Sequence, residues 1–162
     1  MRISRKARLR AGLLAAACVG LTALNVSSAS ASSQAITFRG QELIQGYGTL
    51  LSNEHDHLDF QADGNLVLYA DNGGPALWAS GTVHGGGHYE TVAFQNDGNM
   101  VIYDHDGSNN IRVAWASNTQ GTGADELWLQ SDGNLVMYQT QIGYYSVWST
   151  RTNYWPGCGD LC

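Results

Sequence analysis

A nonapeptide of the pattern Gln-x-Asp-Gly-Asn-x-Val-x-Tyr occurs three times in this chain of 162 residues. The copies start at Gln61, Gln95 and Gln130, so the motif recurs at intervals of 34 and 35 residues. A regular period of this length indicates a repeat architecture. The chain is therefore predicted to use one supersecondary unit three times.

The spacing within the motif predicts a β-strand with one polar and one apolar face. Its Gln, Asp, Asn, Val and Tyr stand at alternate positions, and alternate residues of a strand share a face. The intervening positions continue an apolar pattern, as in Leu58, Phe60, Leu66 and Leu68 around the first copy. Burial on one side is typical of antiparallel strands. Because no segment after residue 31 shows helical periodicity with caps, we predict an all-β protein.

The polar face of each copy presents two amides, a carboxylate and a phenol beside a valine. Amides both donate and accept hydrogen bonds, and an ionised carboxylate accepts strong ones. These groups suit the hydroxyls of a sugar ring, which predicts a polyhydroxylated ligand. Alternatively, Asp-Gly-Asn makes an ordinary turn and the motif is only scaffold.

A tryptophan follows each motif after a turn of variable length, at Trp78, Trp115 and Trp148. A large ring at the same position of each repeat packs best where the repeats converge. We therefore predict that the three rings meet in the core. The alternative is that they are platforms on which sugars stack.

The first 31 residues have the features of a secretory signal. Basic residues at the start are followed by the apolar run 11–24, and Ala29-Ser30-Ala31 fits a cleavage site. We expect a secreted protein made of the domain 32–152 and a short tail, 153–162. In an oxidising compartment Cys158 and Cys162 are predicted to pair with each other, and a bridge between two chains is the alternative.

The charge of the predicted mature chain limits its partners. Its cations are Arg39, Arg112 and Arg151, and with all 14 acidic residues its formal charge is −11. Nucleic acids and anionic membrane surfaces need clustered Lys and Arg, so neither is an expected partner. A neutral or cationic ligand is favoured, and we expect no insertion into a membrane.

The three motifs with their tryptophans resemble the bulb-type mannose-binding lectins of monocots and their bacterial relatives, over roughly 36–152. The resemblance implies a secreted bacterial member with a β-prism II fold: three four-stranded antiparallel sheets around a pseudo-threefold axis, with one mannose site per sheet. In each site Gln would hold mannose O3, Asp and Asn would hold O2, Tyr would hold O4, and Val would pack on the ring. The implied carbohydrate-binding residues are Gln61, Asp63, Asn65, Val67 and Tyr69; Gln95, Asp97, Asn99, Val101 and Tyr103; and Gln130, Asp132, Asn134, Val136 and Tyr138.

The sequence departs from the plant members of this family in two places. Many of them carry a disulfide with one cysteine inside the first motif, where this chain has Gly64. Plant members often exchange C-terminal strands to form dimers, whereas residues 153–162 here include their own Trp155-Pro156-Gly157 turn. A homodimer is therefore left open.

Weaker signals lie outside the motifs. Trp128 stands two residues before the third motif, on the predicted polar face, and we hypothesise that it stacks on a second sugar ring; a partly buried surface tryptophan is the alternative. The pairs His55 and His57, and His84 and His88, could suggest a metal, but with no third ligand evident we predict hairpin residues and no metal site.

Two other classes of function compete with a lectin. A glycosidase needs two carboxylates at a defined separation, and each motif supplies one. We therefore predict no catalytic residues and no cofactor. A lectin-like antibacterial or protein-interaction module, with weak or no sugar binding, is the alternative.

Overall fold

The computed structural model of the chain describes residues 26–29, 33–71 and 73–153. Within these residues all regular structure is β-strand, and no helix is present that could cross a membrane. The strands are β1 (Val26–Ala29), β2 (Ser33–Thr37), β3 (Gln41–Ile44), β4 (Gly48–Ser52), β5 (Asp56–Phe60), β6 (Leu66–Ala70), β7 (Ala76–Ala79), β8 (His88–Phe94), β9 (Met100–Asp106), β10 (Ile111–Ala116), β11 (Glu126–Leu129), β12 (Leu135–Gln139) and β13 (Tyr145–Ser149).

The strands form three antiparallel sheets. Sheet 1 has the order β4-β5-β6-β7, sheet 2 has the order β10-β9-β8-β3, and sheet 3 has the order β2-β11-β12-β13. Val26–Ala29 adds a short fifth strand to sheet 3 by pairing with β2. The predicted all-β fold of three four-stranded sheets is therefore confirmed, with one strand added at an edge.

The two predicted chain boundaries remain predictions. Within the predicted signal, residues 1–31, the structure describes only Val26–Ala29. Residues 154–162, with Cys158 and Cys162, also lie outside the described residues.

The apolar face of each central hairpin forms the core. In the first repeat Leu58, Phe60, Leu66 and Leu68 are all completely buried, as their alternation predicts. The same positions of the other repeats are Val92, Phe94, Met100 and Ile102, and Leu127, Leu129, Leu135 and Met137, which are buried to the same extent. Full burial of one such side chain contributes roughly 1.5–3 kcal/mol to stability.

The three tryptophans meet in one aromatic cluster. Trp78, Trp115 and Trp148 come from β7, β10 and β13, one from each sheet, and they pack against the core. Their ring centroids are 5.5, 5.7 and 5.7 Å apart, and every pair is edge-to-face. Such nearly equal geometry is expected at a threefold axis, and edge-to-face contact is favourable for aromatic rings. The three rings meet as predicted, but they are partly buried and pack against the core instead of lying inside it.

The motif itself is not one continuous strand. Its first five residues form the loop of a hairpin, and the strand begins only at the sixth, Leu66 in the first copy. The predicted strand is therefore wrong for the first half of each motif. The physical reason is the glycine at the fourth position, which lies in the left-handed region with φ of 83°, 88° and 78° in the three copies.

Candidate functional site

The three motif loops share one hydrogen-bond pattern. In the first copy Gln61 N donates to Asn65 O at 2.9 Å, and Gly64 N donates to Gln61 O at 3.1 Å. Asp63 Oδ1 accepts from Asn65 N at 3.1 Å. The corresponding Asp–Asn distance is 3.0 Å in both other copies. The loop is thus closed by its own backbone and by one oxygen of the aspartate.

The glutamine and tyrosine at the two ends of the motif are brought together. Gln61 Nε2 donates to Tyr69 Oη at 2.8 Å, although eight residues separate them. The equivalent distances in the second and third copies are 2.8 and 2.9 Å. In each copy the tyrosine hydroxyl accepts this bond, and its own proton remains available for a further partner.

The asparagine of each motif is held from behind by a segment that the motif does not contain. Asn65 Oδ1 accepts hydrogen bonds from Ser80 Oγ and from the backbone N–H groups of Gly81 and Thr82, at 3.0–3.3 Å. Thr82 Oγ1 donates to Gly64 O at 2.6 Å. In the second copy Ser117 Oγ and Thr119 N donate to Asn99 Oδ1, and Thr119 Oγ1 donates to Gly98 O. In the third copy Thr150 Oγ1 and Thr152 N donate to Asn134 Oδ1, and Thr152 Oγ1 donates to Gly133 O.

We call Ser80 and Thr82, Ser117 and Thr119, and Thr150 and Thr152 the bracing hydroxyls. Sequence analysis missed them, although the pattern Trp-x-Ser/Thr-x-Thr follows each motif and could have drawn attention to them. The residue between the two hydroxyls has positive φ in every copy: 73° at Gly81, 58° at Asn118 and 58° at Arg151. The repeated backbone conformation shows that this segment is a second conserved feature of the three repeats within this chain.

These contacts leave one set of polar atoms available in all three copies. Within the described residues, the hydrogen bonds of each motif occupy Gln Nε2, Asp Oδ1 and Asn Oδ1. They leave Gln Oε1 and Asp Oδ2 as acceptors and Asn Nδ2 and the tyrosine proton as donors. Each copy therefore offers two acceptors and two donors on a fixed framework, which suits a ligand with several hydroxyls.

The valine of each motif forms the floor between these groups. Val67, Val101 and Val136 are only 2, 2 and 3% exposed. Almost all of their surface is already covered, so the packing of a sugar ring on these valines remains a prediction. The structure thus places all five predicted residue types of each motif in one hairpin.

Solved structures of lectins match this chain. A lectin from Allium sativum is 33% identical, with 66% of this chain and 92% of that chain covered and a TM-score of 0.50. A Marasmius oreades lectin is 29% identical, with 75% and 92% covered and a TM-score of 0.54. A mannose-specific lectin from Crocus vernus is 28% identical, with 69% and 96% covered and a TM-score of 0.47. Neither protein-family models nor curated proteins gave a match.

The chain belongs to the bulb-type lectin family. The resemblance seen in the motifs is thereby confirmed at the level of the family. Lectins bind carbohydrate without chemical reaction, so this lectin is a carbohydrate-binding protein and not an enzyme. Its assignment as a bacterial, secreted member remains a prediction.

Trp128 of this lectin lies beside the third motif. It stands opposite Val136 across the β11–β12 pair, on the same face of the sheet. Its ring is edge-to-face with Tyr138, at 6.2 Å, and with the exposed Tyr144, at 6.4 Å. Trp128 Nε1 donates to Glu126 Oε2 at 2.7 Å, which fixes the orientation of the indole. The third motif therefore has aromatic rings beside it.

A buried carboxyl group lies behind the same third motif. The side chain of Asp56 is close to Gly133: a Cβ atom added to that glycine would be 3.2 Å from Asp56 Oδ2. Burial raises the pKa of Asp56; His55 opposes this, while the negative charges of Asp71 and Asp132 add to it. The third motif loop therefore packs on a carboxyl group whose ionisation is disfavoured.

Proposed function

We propose that this protein is a secreted lectin that binds mannose and mannose-terminated glycans through three equivalent sites. The observation that carries the proposal is the repeated hydrogen-bond pattern, which leaves the same donors and acceptors available in all three motifs. A coincidental turn sequence would not need the same glutamine–tyrosine bond three times.

The chemistry of the site supports mannose among the common hexoses. Mannose has an axial O2, and the aspartate and asparagine of each motif stand two residues apart in one closed loop. A carboxylate Oδ2 that accepts and an amide Nδ2 that donates can together hold one hydroxyl group, because a hydroxyl both donates and accepts. Such a fixed pair discriminates between an axial and an equatorial hydroxyl.

Each site is small and rigid, so its affinity for a single sugar is expected to be weak. Three such sites on one molecule increase the affinity for surfaces that display many glycans. The N-terminal segment supports secretion because it has the features of a secretory signal. Secretion would bring the lectin into contact with such surfaces.

The proposal is tested by calorimetric titration with methyl α-mannoside, with the galactoside as the control sugar. We expect heat from the mannoside alone. The informative variant is the triple change Asp63→Asn, Asp97→Asn and Asp132→Asn. Asparagine retains the Oδ1 acceptor that closes each loop but replaces the available carboxylate oxygen with an amide, so mannoside binding should be lost while the melting temperature is kept.

The matched control is Asp106→Asn. Asp106 also closes a turn, with Oδ1 accepting from Ser108 N at 2.8 Å, but it lies outside the motifs. It should leave mannoside binding unchanged. Folded protein that gives no heat with either sugar would contradict the proposal and favour a protein-interaction or antibacterial module on the same fold.

A further inference from the structure

Several ionisable side chains meet beneath the loop of the first motif. Glu90 on β8 and Asp104 on β9 are cross-strand partners, and their side chains are 1 and 0% exposed. His84, from the loop before β8, lies with Nδ1 2.5 Å from Glu90 Oε1 and with Nε2 3.8 Å from Asp104 Oδ2. One ligand atom from each of the three residues lies within 4.8 Å of the others.

The two carboxylates of this cluster are not equally satisfied. Asp104 accepts hydrogen bonds from His88 Nδ1, at 2.7 Å, and from Arg112 Nε, at 2.5 Å. Glu90 is held differently: its Oε1 lies 2.5 Å from His84 Nδ1, but the two atoms do not meet in hydrogen-bond geometry, and within the described residues neither has another partner.

Buried polar atoms without partners are uncommon because each costs about 1–3 kcal/mol. Arg112 balances the charge of one carboxylate, so with neutral imidazoles one negative charge remains inside the cluster. The two unbonded atoms face each other across a short distance, as two ligands of one cation do.

We propose that His84, Glu90 and Asp104 bind a divalent transition-metal ion of the zinc class, with His88 and Arg112 as positioning residues on Asp104. Imidazole nitrogen and carboxylate oxygen are typical zinc ligands, at bond lengths of about 2.0–2.2 Å. Ligand atoms of a tetrahedral site are therefore about 3.3 Å apart. His84 Nδ1 lies 2.5 Å from Glu90 Oε1, and one ligand atom from each of the three residues lies within 4.8 Å of the others, so small side-chain shifts would bring them to that spacing.

The other repeats show that the cluster is not part of the common scaffold. An acidic residue precedes each motif glutamine by five positions, as Asp56, Glu90 or Asp125. Asp125 is satisfied by Thr140, whose N and Oγ1 both donate to it. The position of Asp104, directly after the motif tyrosine, is alanine in the first repeat and glutamine in the third. The second repeat alone combines the acidic pair with histidines.

The cluster is coupled to the first motif by direct contact. His84 N donates to Asp63 O at 3.3 Å. Gly64 lies against the carboxylate, since an added Cβ would be 2.1 Å from Glu90 Oε2. A bound ion would therefore hold the first motif loop in place from beneath. The metal site itself does not depend on the proposed sugar specificity.

The test is a calorimetric titration of chelator-treated full-length protein with Zn²⁺, and separately with Ca²⁺ and Mg²⁺. We expect one equivalent of Zn²⁺ to bind and no heat from the other two ions, which prefer oxygen ligands. Glu90→Gln and His84→Ala should each weaken zinc binding by more than about 100-fold, since losing even an outer-shell partner costs 10–100-fold.

The matched control is His57→Ala. His57 also lies among carboxylates, those of Asp59 and Asp71, but these are partly exposed. Zinc affinity should be unchanged in this variant. Two outcomes would overturn the proposal: loss of zinc binding in His57→Ala, or retention of zinc binding in both Glu90→Gln and His84→Ala. Either outcome would mean that zinc binds elsewhere in the protein.

A second measurement separates the metal site from a simple ion pair. Glu90→Gln preserves side-chain volume, so both proteins should fold without zinc. Zinc should then raise the melting temperature of the wild type and leave that of Glu90→Gln unchanged. If zinc has no effect on the wild type, and its stability instead increases as histidine becomes protonated, the cluster is only a His84–Glu90 ion pair and the proposal is wrong.

Discussion

At the scale of single residues, the motif aspartate has two separate roles. One oxygen of Asp97 closes the loop by accepting from Asn99 N at 3.0 Å, and the other is available to a ligand. The asparagine divides its roles in the same way, with Oδ1 held by the bracing hydroxyls and Nδ2 available. Such division means that truncation to alanine removes the shape of the site together with its chemistry, whereas an isosteric change removes the chemistry alone.

Trp128 should extend the third site towards a second sugar ring. We expect Trp128→Ala to weaken binding of a mannose disaccharide by about 2- to 12-fold, the equivalent of the 0.5–1.5 kcal/mol of an aromatic stacking contact. Methyl α-mannoside affinity should not change. The measurement is best made by calorimetry in a background of Asp63→Asn and Asp97→Asn, where the third site alone reports.

Trp128→Phe is the control for this change, because it keeps an aromatic face while losing the hydrogen bond to Glu126. It should retain most of the disaccharide affinity. Equal disaccharide affinities for the alanine variant and its parent would show that Trp128 is a surface tryptophan without a role in binding.

At the scale of structural elements, each motif depends on the end of the outer strand of its sheet. The strand that carries the tryptophan continues directly into the bracing hydroxyls, so the core and the binding loop are joined by a few residues of chain. In the second repeat Trp115 packs in the aromatic cluster, while Ser117 and Thr119 hold Asn99 and Gly98. Movement of the outer strand would therefore move the site.

Removal of one bracing hydroxyl should affect both stability and binding. Thr119 is buried, and its Oγ1 donates to Gly98 O at 2.7 Å. Thr119→Val keeps the shape but leaves that carbonyl unsatisfied, so we expect a loss of about 1–3 kcal/mol in the free energy of unfolding. Urea denaturation measures this loss, and calorimetry should show weaker mannoside binding at one of the three sites.

Thr122→Val provides the comparison for this variant. Thr122 is exposed and belongs to the same turn, where its hydroxyl donates to Thr119 O at 2.7 Å. Because water can replace that bond, the effect on stability should be small. Similar losses in both variants would argue against a special role for the buried hydroxyl.

At the scale of the whole molecule, each sheet carries one motif, so the proposed sites belong to three different sheets. On this proposal, occupation of one site leaves the other two open. Three weak sites on a rigid body reach high affinity only where ligands are dense.

Stepwise loss of sites should distinguish multivalent from single-site binding. We expect the Asp→Asn change in one, two and three motifs to reduce the calorimetric stoichiometry for methyl α-mannoside from three to two, one and none. Retention on a mannan-coated surface should fall far more steeply, since linked sites contribute about 10²–10⁴-fold in avidity. Surface plasmon resonance measures retention on the mannan-coated surface. If retention falls only in proportion to the number of intact motifs, each site binds independently and avidity plays no part.

Much of the fold could be predicted because periodicity reflects burial. Leu66 and Leu68 alternate with polar positions, and the three tryptophans recur at equal places, so the leucines could be assigned to the core and the tryptophans to the place where the repeats meet. The loop at Gly64 was predicted as strand because alternation of residue types cannot distinguish a closed loop from an extended chain.

The contacts that sequence analysis missed are those created by chain reversal. Thr82 reaches Gly64 only after the outer strand returns beside the motif. Glu90 and Asp104 are 14 residues apart in the sequence and become neighbours through the register of β8 and β9. His84 and His88 therefore seemed to lack a third ligand, since the strand register that supplies one is set by tertiary structure.

The tryptophan triad also gives the molecule an internal optical reporter. Each indole belongs to a different sheet, so separation of any one sheet breaks two of the three ring contacts. Near-ultraviolet circular dichroism should therefore follow closure of the three sheets during refolding.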